Sequence, residues 1–67
     1  MSEINELLLE LEECVHNMQI TKIQLIKNNR LGYFKDAYED SKNFDDNFDY
    51  AIETMIKIKK KIKELES

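Results

Sequence analysis

Proline and tryptophan are absent from this chain, and glycine and cysteine each occur once among its 67 residues. Without proline no segment is forced out of a helix, and a single glycine leaves few of the tight turns that join short strands. The lone Cys14 cannot form a disulfide within one chain and is typical of a reducing compartment. These absences favour long helices and a cytoplasmic location, and they leave a small domain without a covalent staple.

Long hydrophobic runs are also missing. No stretch approaches the roughly 20 apolar residues of a membrane span, and the opening residues lack the basic segment of a secretory signal. The net charge of -4 argues against nonspecific nucleic-acid binding. Because 42% of the residues are hydrophobic, the chain should fold rather than remain disordered.

Apolar residues recur at alternating spacings of four and three in the first part of the chain, which predicts the seam of a coiled-coil-like helix. The series is Ile4, Leu8, Leu11, Val15, Met18 and Leu25. Ser2 can cap the helix, and the acids of the first turns suit the positive end of the helix dipole. We expect this helix over about 3–28.

Asn28, Asn29 and Gly32 tolerate the left-handed conformation that ends helices, which predicts a turn over about 29–32. A second heptad series follows and predicts a helix over about 33–66. That series is Phe34, Ala37, Ser41, Phe44, Phe48, Ala51, Met55, Ile58, Ile62 and Leu65. Together the two series predict one all-α domain over residues 1–67, built as an antiparallel helical hairpin.

The stretch 40–47 offers an alternative, because it is rich in weak helix formers that often cap new helices. A break there would give a three-helix layout. The continuous helix is the preferred interpretation, since a loop has no reason to preserve the heptad phase.

Charge alternates in four blocks of about -5, +4, -6 and +3, ending at residues 16, 35, 53 and 67. An antiparallel hairpin places the first block beside the fourth and the second beside the third, and both pairings are attractive. The unequal helix lengths predict an overhang of roughly 12 Å at 1.5 Å per residue, which would carry the lysines of the fourth block partly past their glutamates. The overhang leaves apolar residues uncovered, and a hairpin buries only one stripe of each helix. Both points predict a homodimer in the form of a four-helix bundle.

Motifs that would carry chemistry are weak. Glu13 and His16 have the spacing of di-iron bundles, but both fall outside the predicted seam. Asp45, Asn47 and Asp49 alternate as in a calcium loop, yet Tyr50 stands where such a loop needs glycine. We therefore expect no catalytic residue, no metal site and no cofactor.

Two surface features are left over after folding, and we take them as candidate partner-binding sites. All six aromatic residues lie between Tyr33 and Tyr50, mixed with acids, which suits binding to a basic protein surface. The candidates in this stretch are Tyr38, Tyr50, Asp45, Asp46 and Asp49. A second apolar edge on the first helix adds Leu9, Ile20 and Ile23.

These features predict a small noncatalytic interaction or regulatory module that acts as an oligomer and also binds another protein. The alternative is a nucleic-acid-binding helical dimer that uses the basic run Lys57–Lys63. Pairing of that run with the glutamates of the first helix argues against the alternative.

Overall fold

A computed structural model describes residues 2–66 as two long helices joined by a short turn. The helices are α1 (Glu3–Arg30) and α2 (Phe34–Glu66), and the described residues contain no strand. They pack side by side as a hairpin, which confirms the predicted fold class. The Cα atoms extend over 53 × 17 × 11 Å, so the hairpin is a single layer one helix thick.

The start of α1 follows the sequence prediction. Ser2 is the N-cap, and its Oγ accepts a hydrogen bond from the backbone N–H of Asn5 at 3.2 Å. Glu3 and Glu6 lie in the first turn, where the helix dipole favours negative charge.

The turn is shorter than the predicted 29–32, because α1 continues for two residues beyond the expected end. Its last carbonyls are closed by two backbone bonds, Tyr33 N–H to Asn28 O at 2.9 Å and Gly32 N–H to Asn29 O at 3.2 Å. This pair of bonds is the Schellman arrangement, which requires a residue with positive φ just past the helix. Gly32 supplies it with φ of 80°. The two asparagines therefore lie inside the last turn rather than in the loop.

The helix α2 is continuous across 40–47, so the three-helix alternative is wrong. The polar side chains there bond to their own helix instead of capping a new one. Ser41 Oγ donates to the Tyr38 carbonyl at 2.8 Å, and Asn47 Nδ2 donates to the Asn43 carbonyl at 2.9 Å. Phe44 is half-buried against α1, which gives this polar stretch a packing reason to remain helical.

The seam between the helices is formed by residues that are buried or half-buried at alternating spacings of three and four. We use the word seam for this set throughout. On α1 it contains Ile4, Leu7, Leu11, Cys14, Met18, Thr21, Leu25 and Asn28. On α2 it contains Ala37, Asp40, Ser41, Phe44, Asn47, Ala51, Thr54, Ile58 and Lys61.

The predicted phase of this seam is partly wrong. About every second residue of the predicted heptad series is exposed instead of lying between the helices. Seven residues predicted to lie in the seam are instead exposed, namely Leu8, Val15, Phe34, Phe48, Met55, Ile62 and Leu65. For five of them the residue one position earlier lies in the seam instead, for example Cys14 for Val15 and Thr54 for Met55. In three of these five pairs, Cys14/Val15, Asn47/Phe48 and Thr54/Met55, the side chain in the seam is the smaller and less hydrophobic one.

The core of the hairpin is correspondingly small. The buried hydrophobic residues are Cys14, Ala37 and Ile58, and no large side chain in the described residues is fully buried. The buried hydroxyls of Thr21 and Thr54 each donate to a carbonyl one turn back, Asn17 O at 2.7 Å and Tyr50 O at 2.9 Å. These bonds satisfy the two hydroxyls within their own helices, so they add nothing to the cohesion between helices.

In the described residues, an ion pair joins the two helices at the end of the hairpin opposite the turn. Lys61 Nζ lies 2.9 Å from a carboxylate oxygen of Glu3, which joins the fourth charge block to the first. The overhang is shorter than predicted, because α1 is two residues longer than expected and residues 62–66 of α2 extend past the Glu3–Lys61 pair. Within residues 2–66 no ion pair joins the second and third blocks, and the polar contact there is Asn28 Nδ2 donating to Asp40 at 2.8 Å.

Candidate interaction surfaces

An apolar surface runs along one side of both helices, next to the seam. We call it the open face and define it by Leu8, Val15, Phe48, Ile52, Met55 and Ile62. Its centre is a groove of about 470 Å³ between the helices, where Val15 and Met18 of α1 meet Phe48, Ile52 and Met55 of α2. A shallower groove of about 750 Å³ continues it along α1 past Leu8, Glu12 and Gln19.

The open face arises because apolar residues occupy adjacent positions on each helix. Leu7 and Leu8, like Cys14 and Val15, are 100° apart on a helix, so one member of each pair enters the seam while the other stays beside it. On α2 the seam member of each pair is polar, with Asn47 beside Phe48 and Thr54 beside Met55, and the apolar member again lies outside the seam. The outer members come to one side of the hairpin, and Phe48 stacks on Phe44 with 6.5 Å between ring centroids.

The other side of the hairpin is polar. Tyr50 is two positions after Phe48, which turns its side chain about 200° away from that of Phe48 on the open face. Its hydroxyl donates to Glu10 at 3.4 Å across the seam. The negative charge of Glu10, followed by partial desolvation, raises the pKa of Tyr50. At the far end, the hydrogen bond and charge of Glu3 raise the pKa of Lys61.

The acidic–aromatic stretch does not form a single site. Tyr38 and Tyr50 are twelve residues apart, about 18 Å along α2, and they point to different sides of the helix. Tyr38 lies under the ammonium of Lys42, 5.4 Å from the ring centroid. Asp45, Asp46 and Asp49 are exposed between the two tyrosines. Within the described residues, Tyr50 is the member of this set that forms a hydrogen bond with α1, and spacing along the sequence could not have indicated that bond.

The predicted second edge of α1 is also exposed but loosely grouped. Ile23 lines a shallow depression of about 570 Å³ with Ile26, Lys27, Arg30 and Leu31 near the turn. Leu9 and Ile20 lie further along the helix and are exposed on its outer side. The structure therefore places Ile23 in a surface depression near the turn and leaves Leu9 and Ile20 as separate apolar side chains.

The residues that could have carried chemistry remain apart. No group of three or more metal-ligating side chains occurs among residues 2–66, and Glu13 and His16 are both exposed. The thiol of Cys14 is buried in the seam, and burial followed by the charges of Glu10 and Glu13 raises its pKa. A buried thiol with a raised pKa is unreactive, so its role here is packing.

The lysines of the basic run do not share one side of α2. Lys61 is half-buried and bridges Glu3 and Glu64. Lys57, Lys59, Lys60 and Lys63 are exposed and, at 100° per residue, point in several directions around the helix. One of them, Lys59, borders the groove of the open face.

Within residues 2–66, neither helix combines the length and apolar character needed to cross a membrane. No protein-family model, curated protein or solved structure matches the chain. A functional assignment therefore depends on the surfaces described above.

Proposed function

We propose that this chain is a small noncatalytic interaction or regulatory module that acts as a homodimer and forms a four-helix bundle. The supporting observation is the open face: a single-layer hairpin presents large apolar side chains along one whole side. Helices bury an apolar stripe against another layer, and a hairpin one helix thick has no second layer of its own.

The small core supports the same proposal. Domains of this size need a staple, a metal or a partner subunit in addition to a single core. The buried hydrophobic set of Cys14, Ala37 and Ile58 is modest even by that standard. A second subunit would bury Phe48 and Met55 and supply the missing apolar contact, and the lone cysteine fits the cytoplasm as the site of action.

A second protein would then bind the surfaces that remain exposed in the dimer. Tyr50 lies on the polar side, its acidic neighbours Asp45, Asp46 and Asp49 are exposed, and Ile23 lies at the turn end. Tyrosine among carboxylates suits a partner with a basic surface, since such side chains combine apolar area with hydrogen bonding.

Capture experiments from the source cell test this assignment. Immobilised wild-type protein should retain a specific partner, whereas Tyr50→Ala or Ile23→Asp should retain less of it. Circular dichroism must show unchanged helix content in both variants. Full retention by both variants would count against these surfaces, and light scattering on the same samples reports the subunit number.

The alternative function, binding of nucleic acid, is favoured by one observation: four lysines of the run Lys57–Lys63 are exposed. Their scatter around α2 and the ion pair of Lys61 argue against a continuous phosphate-binding strip. If nucleic acid is the ligand, affinity for duplex DNA or RNA will fall steeply between 50 and 200 mM salt, by about a thousandfold for six phosphate contacts. Absence of binding at low salt excludes this alternative.

A further inference from the structure

One exposed stripe of α1 is complementary to a second copy of itself that runs in the opposite direction. Residues recur at spacings of four and three along the side of α1 that belongs to the open face. They are Leu8, Glu12, Val15, Gln19, Lys22 and Ile26, and all are exposed. Neither Glu12 nor Lys22 forms an ion pair within the described residues.

Two copies of this stripe fit each other when they run antiparallel about a point near residue 17. Leu8 then lies opposite Ile26 of the second copy, and Glu12 lies opposite Lys22 of the second copy. Val15 faces Gln19 at the centre. Each contact occurs twice, so apolar meets apolar at both ends and each charge meets its opposite. Antiparallel helices whose facing positions match in this way form a self-complementary interface.

The same two-fold axis also brings complementary residues of the two α2 helices together. The contacts of Glu10 with Tyr50 and of Asn28 with Asp40 fix the register of the hairpin, so residue 17 lies level with residues 46 and 47. A two-fold axis there brings Phe48 of both copies to the centre.

Further out along α2, this axis places Met55 opposite Tyr38 of the second copy and Lys59 opposite Phe34. Sulfur–aromatic and cation–π contacts favour both pairings. Phe34 and Tyr38 are among the most exposed aromatic residues of the hairpin, at 68% and 63%.

We infer that the occupant of the open face is a second copy of this chain, packed with α1 antiparallel to α1 and α2 antiparallel to α2. This inference rests on the proposed function and specifies its homodimer. The broad side of the hairpin measures 53 by 17 Å, which is about 900 Å² and comparable to the roughly 800 Å² that each partner contributes to a stable interface. A dimer of this kind leaves the polar side with Tyr50 uncovered.

Disulfide crosslinking tests the arrangement. Glu12→Cys and Lys22→Cys are introduced separately and together into a Cys14→Ala background. The purified variants are oxidised, and mass spectrometry measures whether a covalent dimer forms. Residues 12 and 22 are about 15 Å apart along one rigid helix, whereas a disulfide needs Cα atoms about 5–6 Å apart. Any bond between these positions is therefore intermolecular.

The expected result is a covalent dimer from the double variant and from a mixture of the two single variants. Each single variant alone should form no covalent dimer on oxidation, because its two cysteines would be about 15 Å apart in the non-covalent dimer. A light-scattering mass of a dimer without this crosslink overturns the inferred arrangement and leaves the proposed self-association standing. A monomeric mass at high concentration overturns both.

A charge exchange in the natural background avoids any change to the seam. Glu12→Lys should raise the dimer dissociation constant about tenfold, since two ion pairs become repulsive contacts. The double exchange Glu12→Lys with Lys22→Glu should restore most of the affinity. Loss in the single variant without recovery in the double variant contradicts the pairing of residues 12 and 22.

Discussion

The seam and the open face divide the apolar residues of this hairpin unequally. Of the five residues classed as buried, all in the seam, four have small side chains, namely Cys14, Thr21, Ala37 and Thr54, and the fifth is Ile58. The open face consists of large apolar side chains, with Phe48, Ile52 and Met55 all more than a third exposed. The contact within one chain therefore leaves several large apolar side chains exposed, and their area is available for a contact between chains.

The largest expected effect comes from placing a charge on the open face. Val15→Glu should weaken dimerisation by about 3 kcal/mol, because the second copy would bury the carboxylate in the apolar groove beside Phe48 and Met55 of its own chain. Sedimentation velocity at several concentrations measures the change. The matched control is Ile20→Glu, since Ile20 and Val15 are equally exposed at 42% but Ile20 lies off the open face. Equal effects of the two substitutions would remove the distinction between that face and the rest of the surface.

The seam should respond to loss of its one large buried residue. Ile58 is 4% exposed, and Ile58→Ala should lower the free energy of unfolding by about 2 kcal/mol. This value lies at the lower end for such truncations, since a single-layer hairpin relaxes easily around a cavity. Urea denaturation measures it. Ile23→Ala, at a residue 64% exposed, should cost less than about 0.5 kcal/mol. A smaller loss for Ile58→Ala than for Ile23→Ala contradicts the assigned seam.

The turn joins α1 to α2, and both the seam and the open face depend on the register in which the two helices then pack. No atom outside the turn lies within 4 Å of a methyl group added at Gly32, so Gly32→Ala tests backbone conformation alone. At φ of 80° this substitution should cost about 1 kcal/mol. Gly32→Asn should cost less, since asparagine tolerates the left-handed region. Thermal unfolding of the two variants ranks them, and the reverse order would contradict the assigned turn.

The smallest effects concern alkaline pH. The pKa values of Cys14, Tyr50 and Lys61 are all raised in the folded chain. A raised pKa contributes stability below the unfolded value and loses it as pH rises through the folded one. The melting temperature should therefore fall above pH about 8.5, first through Cys14 and then through the other two.

Two substitutions on the seam and the polar side test this pH dependence. Melting curves between pH 7 and 11 should show a shallower decline for Cys14→Ala and for Tyr50→Phe than for the natural chain. Tyr33→Phe, at an exposed tyrosine in the turn, serves as the control. An unchanged pH profile in both variants would contradict the contributions assigned to Cys14 and Tyr50.

Features determined by local sequence were predictable. Ser2 as a helix cap and Gly32 as the turn residue depend on backbone chemistry that each side chain expresses alone. The continuity of α2 followed from a heptad phase that survives the polar residues around Phe44. The hairpin fold then follows from two amphipathic helices and one turn.

The phase of the seam was not predictable from hydrophobicity. That criterion ranks Val15 above Cys14 and Phe48 above Asn47, whereas the smaller member of each pair lies in the seam. The contact of Tyr50 with Glu10 spans forty residues and depends on the register, which no local pattern determines. For the same reason the charge blocks predicted antiparallel pairing but not that Lys61 would meet Glu3.

The most direct test of a second copy on the open face is an isotope-filtered nuclear Overhauser experiment on mixed labelled and unlabelled protein. Leu8 and Ile26 are about 27 Å apart along α1, so any contact between their methyl groups must be intermolecular. We expect a filtered signal between these two residues, because the antiparallel pairing of α1 with α1 places them opposite each other. A dimer that lacks this signal and instead connects Leu8 of one copy to Met55 of the other would contradict the antiparallel pairing of α1 with itself. Contacts confined to Leu9 and Ile20 would contradict the open face as the dimer interface.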